Sequence, residues 1–110
     1  MKGFRFAHRV VVLRRVLIDD GLQMTPGPAA EIVAMWASRQ DVSDGERFRS
    51  GEKAADLVAR FVVRATTETR GISAKDTLRD GLGTELEIIG VKSIREGALI
   101  EITTAQRADR

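Results

Sequence analysis

Apolar and polar residues alternate over much of the chain, which is the pattern of β-strands. The first such segment runs from Phe6 to Ile18. It carries apolar residues on both faces, so it predicts a strand that is covered on both sides for part of its length. The second segment runs from Glu31 to Val42. Between them, residues 19–30 contain two prolines and two glycines, which predict an exposed loop rather than a regular element.

Four shorter strands are predicted in the second half of the chain. Alternation places them at residues 56–66, 76–79, 84–91 and 98–105. The turns between these strands are predicted by three polar or glycine-containing segments: TTETRG at residues 66–71, DGLG at residues 80–83, and Glu96–Gly97. Strands that are short and closely linked favour a mainly β fold, a small antiparallel barrel of about six strands, because barrel closure removes exposed strand edges.

One short helix is predicted between the second and third strands. The Ser43 hydroxyl can accept the backbone N–H of Glu46, whose side chain can reach back in a capping box. Gly45 and Gly51 each lower the stability of such a helix by about 1 kcal/mol relative to alanine. A break near Ser50 and Gly51 is therefore expected.

Two aromatic residues are predicted to anchor the core. Trp36 is the only tryptophan and lies within the alternation of the second strand, and Phe61 lies on the apolar side of the third. The two ends of the chain, residues 1–4 and 105–110, are expected to be flexible.

Composition predicts a single soluble domain over residues 1–110. The chain is 43% hydrophobic and 31% charged, which is typical of a globular protein. It contains no cysteine, which excludes disulfides, thiolate catalysis and cysteine-ligated metals. The apolar run from Val10 to Leu13 is far too short for a membrane span or a signal peptide. We therefore expect synthesis in the cytoplasm and no membrane partner.

No pattern in the sequence indicates a catalytic or cofactor site. His8 is the only histidine, and a lone histidine in a strand is more often packed than a base. Asp19 and Asp20 have no third carboxylate at metal-binding spacing. Gly81 and Gly83 precede a strand rather than a helix, so they do not form a phosphate-binding loop. We expect neither enzymatic activity nor a cofactor or metal.

The basic residues are unevenly distributed. The net charge is +2, but the first 18 residues contain five basic side chains and no acidic one. Such a segment can meet nucleic acid or an acidic partner, or it can be a solvated strand face. A small barrel that binds nucleic acid is thus an alternative function. The few aromatic residues disfavour it, because most of them are needed inside the protein.

Several motifs, taken in order, resemble a known family. They are HRVVVLRR at residues 8–15, the proline-glycine loop, MWASRQDVSDGERF at 35–48, ARFVVRA at 59–65, GISAKDTL at 71–78 and ELEIIGV at 85–91. Over residues 5–104, the sequence resembles the phage head-tail joining proteins. These are also called head closure, head completion or stopper proteins, and occur in long-tailed phages and gene transfer agents. The sequence departs from the family at residues 82–86, LGTEL, where relatives commonly carry an arginine and an aromatic pair. It also lacks the usual aromatic-proline element between the third and fourth strands.

The resemblance implies a structural virion protein at the head-tail junction. Such a protein is a small β-barrel that assembles as a ring of six or twelve copies beneath the portal and its adaptor. The ring closes the DNA-filled head, contacts DNA without sequence specificity, and offers a docking surface to a tail terminator or tail completion protein.

The resemblance also implies candidate site residues. In such proteins the connection between the second and third strands tends to face the channel or a neighbouring subunit. The candidates in this connection, residues 42–55, are Asp44, Glu46, Arg47, Arg49, Glu52 and Lys53. An acidic lining would repel DNA phosphates and let DNA slide. A capped helix that only covers the open end of the barrel is the alternative.

Arginines on the strands are candidates for subunit contacts, because guanidinium groups bind carboxylates bidentately. These candidates are Arg9, Arg14, Arg15, Arg60 and Arg64. The loop at residues 19–30 and the tail from Gln106 are further candidate docking elements.

Overall fold

The alternating strands close into a six-stranded antiparallel β-barrel. The computed structural model describes residues 3–19, 21–43, 45–46 and 56–106. The strands are β1 His8–Asp19, β2 Met24–Asp41, β3 Leu57–Arg64, β4 Thr77–Arg79, β5 Glu85–Ile94 and β6 Leu99–Ala105. They neighbour one another in the order β1-β2-β3-β6-β5-β4, and β4 pairs with β1 to close the barrel. The prediction of a mainly β fold with an antiparallel barrel is confirmed.

The core fills the inside of the barrel with aliphatic side chains around one aromatic ring. Phe61 of β3 is fully buried there, in the place that the sequence predicts for it. The buried members of the cluster are Val10, Val12, Ala37, Ala59, Phe61, Val63, Ile72, Leu78, Leu86, Ile88, Ile100 and Ile102. Each large side chain among them stabilises the fold by about 1.5–3 kcal/mol relative to exposure.

Trp36 lies outside this core, so the prediction that it anchors the core is wrong. Its side chain is 55% exposed, whereas its neighbour Ala37 is fully buried in the same cluster as Phe61. Successive residues of a strand point to opposite faces, so burying Ala37 turns Trp36 outward. Alternation identifies the two faces of a strand but does not say which one points inward.

The prediction of a loop over residues 19–30 is also wrong for most of that range. β2 begins at Met24, and it pairs with β1 as far as the Asp19–Met24 pair. Among the described residues, 14–19 and 24–30 pair only with each other, since β4 reaches only residues 11–13 of β1 and β3 only residues 38–41 of β2. Residues 14–19 and 21–30 thus form a hairpin that we call the arm.

The prolines and glycine of the arm are compatible with its strands. No third strand within the described residues pairs with the arm, so the missing N–H groups of Pro26 and Pro28 are not needed for such pairing. At Gly27 a Cβ would lie 2.7 Å from the carbonyl oxygen of Val16 and 2.9 Å from Cδ1 of Ile18. Only glycine permits this close approach of the two strands.

Short helical segments and turns connect the remaining strands. Residues 66–71, predicted as a polar turn, contain a one-turn helix, α1, at Thr67–Arg70. Thr66 caps it, because its side-chain oxygen accepts the backbone N–H of Thr69 while the Thr69 side chain accepts the N–H of Thr66. Before β5, Asp80 Oδ1 accepts the N–H groups of Leu82 and Thr84 and shapes the predicted turn.

The predicted helix after β2 is described only at its beginning. The Ser43 hydroxyl accepts the N–H of Glu46 at 3.1 Å, and Gly45 and Glu46 have helical backbone. The rest of that prediction, including the break near residues 50–51, lies outside the described residues. At the other end, Ala105 is buried in β6, so it does not belong to the tail that was expected to be flexible.

A buried carboxylate joins β1 to the segment that precedes β4. The Asp76 side chain is 0% exposed and accepts hydrogen bonds from Arg14 Nε at 2.7 Å, Arg14 Nη2 at 2.9 Å and the Ser73 N–H at 3.0 Å. Arg14 Nη2 also donates to the Gly71 carbonyl. Burial acts to raise the pKa of Asp76, but the hydrogen bonds and the charge of Arg14 outweigh it and hold the pKa below its ordinary 3.8. The carboxylate therefore stays ionised and fixes residues 71–76 against β1.

Replacing Asp76 by asparagine should lower the free energy of unfolding at neutral pH by about 1.5–3 kcal/mol, because charge-assisted hydrogen bonds are lost. Since the folded protein lowers the pKa of this carboxyl, its stabilisation is fully present above pH 3.8 and is lost as the pH falls further. Urea unfolding at neutral pH and in acid measures both effects. The difference between wild type and Asp76→Asn should be large at neutral pH and shrink in acid.

Asp41→Asn is the matched control for this experiment. Asp41 also accepts a hydrogen bond from an arginine, Arg39 Nε at 2.8 Å, but its side chain is 74% exposed. An exposed pair contributes about 0.2–1 kcal/mol, so this variant should unfold nearly as the wild type does. Equal losses in the two variants would contradict the structural role of Asp76.

Candidate assembly surfaces

The exposed ring of Trp36 lies beside a surface groove whose lining also reaches the Phe61 ring of the core. The groove has a volume of about 600 Å³, and its lining includes His8, Arg9, Trp36, Arg39, Asp80 and Leu82. Leu82, at the turn between β4 and β5, is 89% exposed. We call this surface the Trp36 groove. Tryptophan and arginine are both enriched in protein interfaces, so this surface is a candidate contact site.

The charges at the floor of the groove are balanced within the chain. Arg39 donates to Asp41 at 2.8 Å and to Asp80 at 3.2 Å, and its guanidinium lies 5.4 Å from the centre of the Phe61 ring. Burial lowers the pKa of Arg39, but the two carboxylates outweigh it and keep the group charged. Arg9 differs, because its guanidinium lies 5.6 Å from the Trp36 ring centre and forms no ion pair with the described residues.

The five arginines predicted to form subunit contacts are in different environments. Arg14 is held by Asp76, so the structure assigns its guanidinium to the fold rather than to an interface. Arg15 donates to the Gly27 carbonyl at 3.3 Å within the arm. Arg9 and Arg64 are exposed and line a second, smaller groove on the other side of Trp36. Only these two are brought together around an exposed aromatic ring.

Of the candidates in the connection after β2, the structure describes only Glu46. Its carboxylate forms an ion pair with Arg60 of β3, the fourth of the predicted contact arginines. The hydrogen bond from Arg60 to Glu46 is the main cause that raises the pKa of this arginine. The beginning of the connection is thereby fixed to the outside of the barrel. The five other candidates lie outside the described residues: Asp44, Arg47, Arg49, Glu52 and Lys53.

The arm exposes large apolar side chains that the sequence reading did not single out. Val16, Ile18, Leu22 and Met24 are all exposed, and Leu22 is 95% exposed. The length of the first predicted strand, residues 6–18, could have indicated the arm, because strands usually have about 5–6 residues. Such a length indicates that part of the strand extends past the barrel.

Among the described residues, no group of three or more histidine, aspartate or glutamate side chains is placed to hold a metal ion. In the same part of the chain, no helix is long and apolar enough to cross a membrane. Each of the four aromatic rings within the described residues has an arginine over it at 4.3–5.6 Å, which leaves few open faces on these rings where nucleobases could stack. These rings belong to Phe4, Phe6, Trp36 and Phe61.

Comparison with known proteins agrees with the fold and with the resemblance in sequence. The solution structure of protein SF1141 from Shigella flexneri 2a is similar over 100% of both chains, with a TM-score of 0.76 and 22% sequence identity, which shows a shared fold. A search of the curated proteins found no match. The family described as "Phage head completion protein" matches residues 1–107. Because this match extends over nearly the whole sequence, the chain belongs to the phage head completion protein family.

Proposed function

We propose that this protein forms the ring that closes the filled head of a phage or gene transfer agent and receives the tail. Membership of the family gives it a structural role in the phage head. The proposal adds that copies assemble beneath the portal and its adaptor, retain the packaged DNA and present a surface to a tail completion protein. Its place would then be the head-tail junction of the virion.

The arm is the observation that carries this proposal. It continues β1 and β2 beyond their pairs with β4 and β3, and it presents large apolar side chains to solvent. Several large exposed apolar side chains on one projecting element mark a candidate site of association. The molecule measures 55 × 34 × 26 Å, so it is elongated enough for such an element to reach a neighbouring subunit. An enzyme would not need this arrangement, whereas a ring subunit would.

The connection after β2 is proposed to face the channel of the ring. The connection itself, residues 42–55, contains three acidic and three basic side chains, and Asp41 and Asp56 flank it, so the sum becomes negative with these two flanking residues. A negative lining repels the phosphates of passing DNA, which allows the DNA to slide. The ion pair between Glu46 and Arg60 supports this proposal, because it fixes the start of the connection on the barrel.

Particles made without this protein should lack tails and lose their DNA, because the head would have no closure and no docking surface. Cryo-electron microscopy of particles from a deletion strain, beside particles from the complemented strain, measures this directly. Complementation should restore a ring of density below the portal. Normal tailed, DNA-filled particles from the deletion strain would contradict the proposed function.

Exchanging the charges of Glu46 and Arg60 distinguishes two roles of Glu46: its charge in the proposed channel lining and its ion pair with Arg60. Glu46→Arg should lower the yield of DNA-filled, tailed particles, because a cation in the channel attracts phosphate. The exchange Glu46→Arg with Arg60→Glu restores an ion pair to the barrel but keeps the cation at position 46. It should therefore give the same low yield, measured as nuclease-protected DNA per particle and as the fraction of heads with tails.

Thermal unfolding of the purified variants provides the control. The single variant should lose about 0.2–1 kcal/mol of stability, and the exchange should recover it. If the exchange also restores the particle yield, Glu46 acts only through its ion pair, and the proposed channel lining at this position is contradicted.

A further inference from the structure

Two exposed apolar surfaces lie at opposite ends of one β-ribbon. Trp36 is paired with Arg9 near the start of β1, whereas the arm ends at the pair of Asp19 and Met24. Arg9 and Asp19 are ten residue steps apart along β1, which at about 3.3 Å for each step is roughly 33 Å. Because the ribbon is hydrogen-bonded along this length, the end of the arm cannot fold back onto the groove of its own chain.

The two surfaces have matching apolar chemistry. The end of the arm exposes Leu22 and Met24, and the Trp36 groove exposes the ring of Trp36 and the side chain of Leu82. A leucine and a methionine are small enough to enter a groove of about 600 Å³, and methionine sulfur packs favourably against aromatic rings. Tryptophan and arginine are also both enriched among the residues that carry most of the binding energy of an interface.

The two surfaces have opposite charge. Residues 16–30 contain two aspartates and no lysine or arginine, so the end of the arm is acidic. Trp36 is flanked by the exposed Arg9 and, in the second groove, by Arg64 and Glu68, so the basic side chains outnumber the acidic one. The acidic residues of the Trp36 groove, Asp41 and Asp80, are paired with Arg39. Arg9 is thus available to the Asp19 carboxylate of another molecule, and such charge-assisted pairs favour one orientation of the partner.

We propose that the end of the arm of one copy docks in the Trp36 groove of the next copy. Leu22 and Met24 would contact Trp36 and Leu82, and Asp19 would pair with Arg9. The two surfaces are different, so the contact is head-to-tail, and repeated head-to-tail contacts close into a ring when the rotation between copies permits. This inference rests on the proposed ring and identifies the two surfaces that form it.

The absence of cysteine from the chain allows a direct test by disulfide cross-linking. Particles are assembled with Leu22→Cys and Leu82→Cys in the same chain, oxidised, and analysed by non-reducing electrophoresis. Head-to-tail docking should give a ladder of covalent oligomers up to the size of the ring. Both positions are highly exposed, so the substitutions should leave the fold intact.

Three control variants determine whether such a ladder is specific. Leu22→Cys alone and Leu82→Cys alone should remain monomeric, because a head-to-tail contact does not bring identical positions together. Leu22→Cys with Ile89→Cys should also remain monomeric, since Ile89 is 49% exposed but lies on β5 and does not line the groove. Oligomers of equal abundance in this last variant would overturn the assignment of the groove.

A charge exchange tests the polar part of the same contact. Arg9→Asp alone and Asp19→Arg alone should each lower the number of ring-containing particles about tenfold, because like charges would then face each other. The two substitutions together should recover most of the loss. A double variant as defective as the single ones would overturn the pairing of these residues.

The possible failures of this inference and of the proposed function are distinguishable. Tailed particles that contain the ring but give no ladder with Leu22→Cys and Leu82→Cys would overturn the docking of the arm and leave the ring in place. Particles whose closure and tails are normal without this protein would overturn the ring itself. Density of a different protein over Trp36 in the assembled particle would assign the groove to that partner and overturn the inference.

Discussion

The closure of the barrel depends on a strand of three residues and on the ion pair that positions it. β4 lies between β1 and β5, and without it both of those strands would have open edges. β4 forms only three residue pairs with β1, so contacts of the neighbouring residues must help to hold β4 in position. Asp76, directly before β4, supplies that constraint through Arg14 of β1 and the Ser73 N–H. Because the carboxylate is buried, the protein cannot replace these partners with water, and the position of β4 is fixed as long as Asp76 is ionised.

The same geometry explains why the arm is exposed. β4 covers β1 only at residues 11–13, and β3 covers β2 only at residues 38–41, so the barrel uses a limited part of each strand. Within the described part of the chain, the remaining ribbon has no other strand to pair with, and its side chains Val16, Ile18, Leu22 and Met24 are exposed. At the opposite end of the ribbon, the small side chain of Ala37 fits inside the barrel and Trp36 is turned outward. Both candidate contact surfaces are therefore consequences of how the barrel closes.

The sequence predicted the strands and most turns, because these depend on local alternation and on glycine or aspartate at the turns. It did not predict β2 before residue 31, since Pro26, Gly27 and Pro28 are read locally as a loop and only pairing with β1 makes them a strand. It did not predict the direction of Trp36, because alternation is the same whichever face is inside. The pair of Arg14 and Asp76 joins residues 62 positions apart, a distance over which no local pattern operates. From the sequence alone, Arg14 therefore cannot be distinguished from the other arginines of the first strand, and only the structure shows its contact with Asp76.

The residues that hold the fold and those proposed to join the copies are largely separate sets. No residue of 14–30 whose side chain the structure describes belongs to the core cluster, and Trp36 and Leu82 are also outside it. Arg14 is the exception, because it lies at the base of the arm and holds Asp76. Beyond that position, Val16, Ile18, Leu22 and Met24 are exposed, so an isolated chain gains little hydrophobic stabilisation from these four side chains. Their burial against another copy would supply the hydrophobic energy that the monomer does not gain from them.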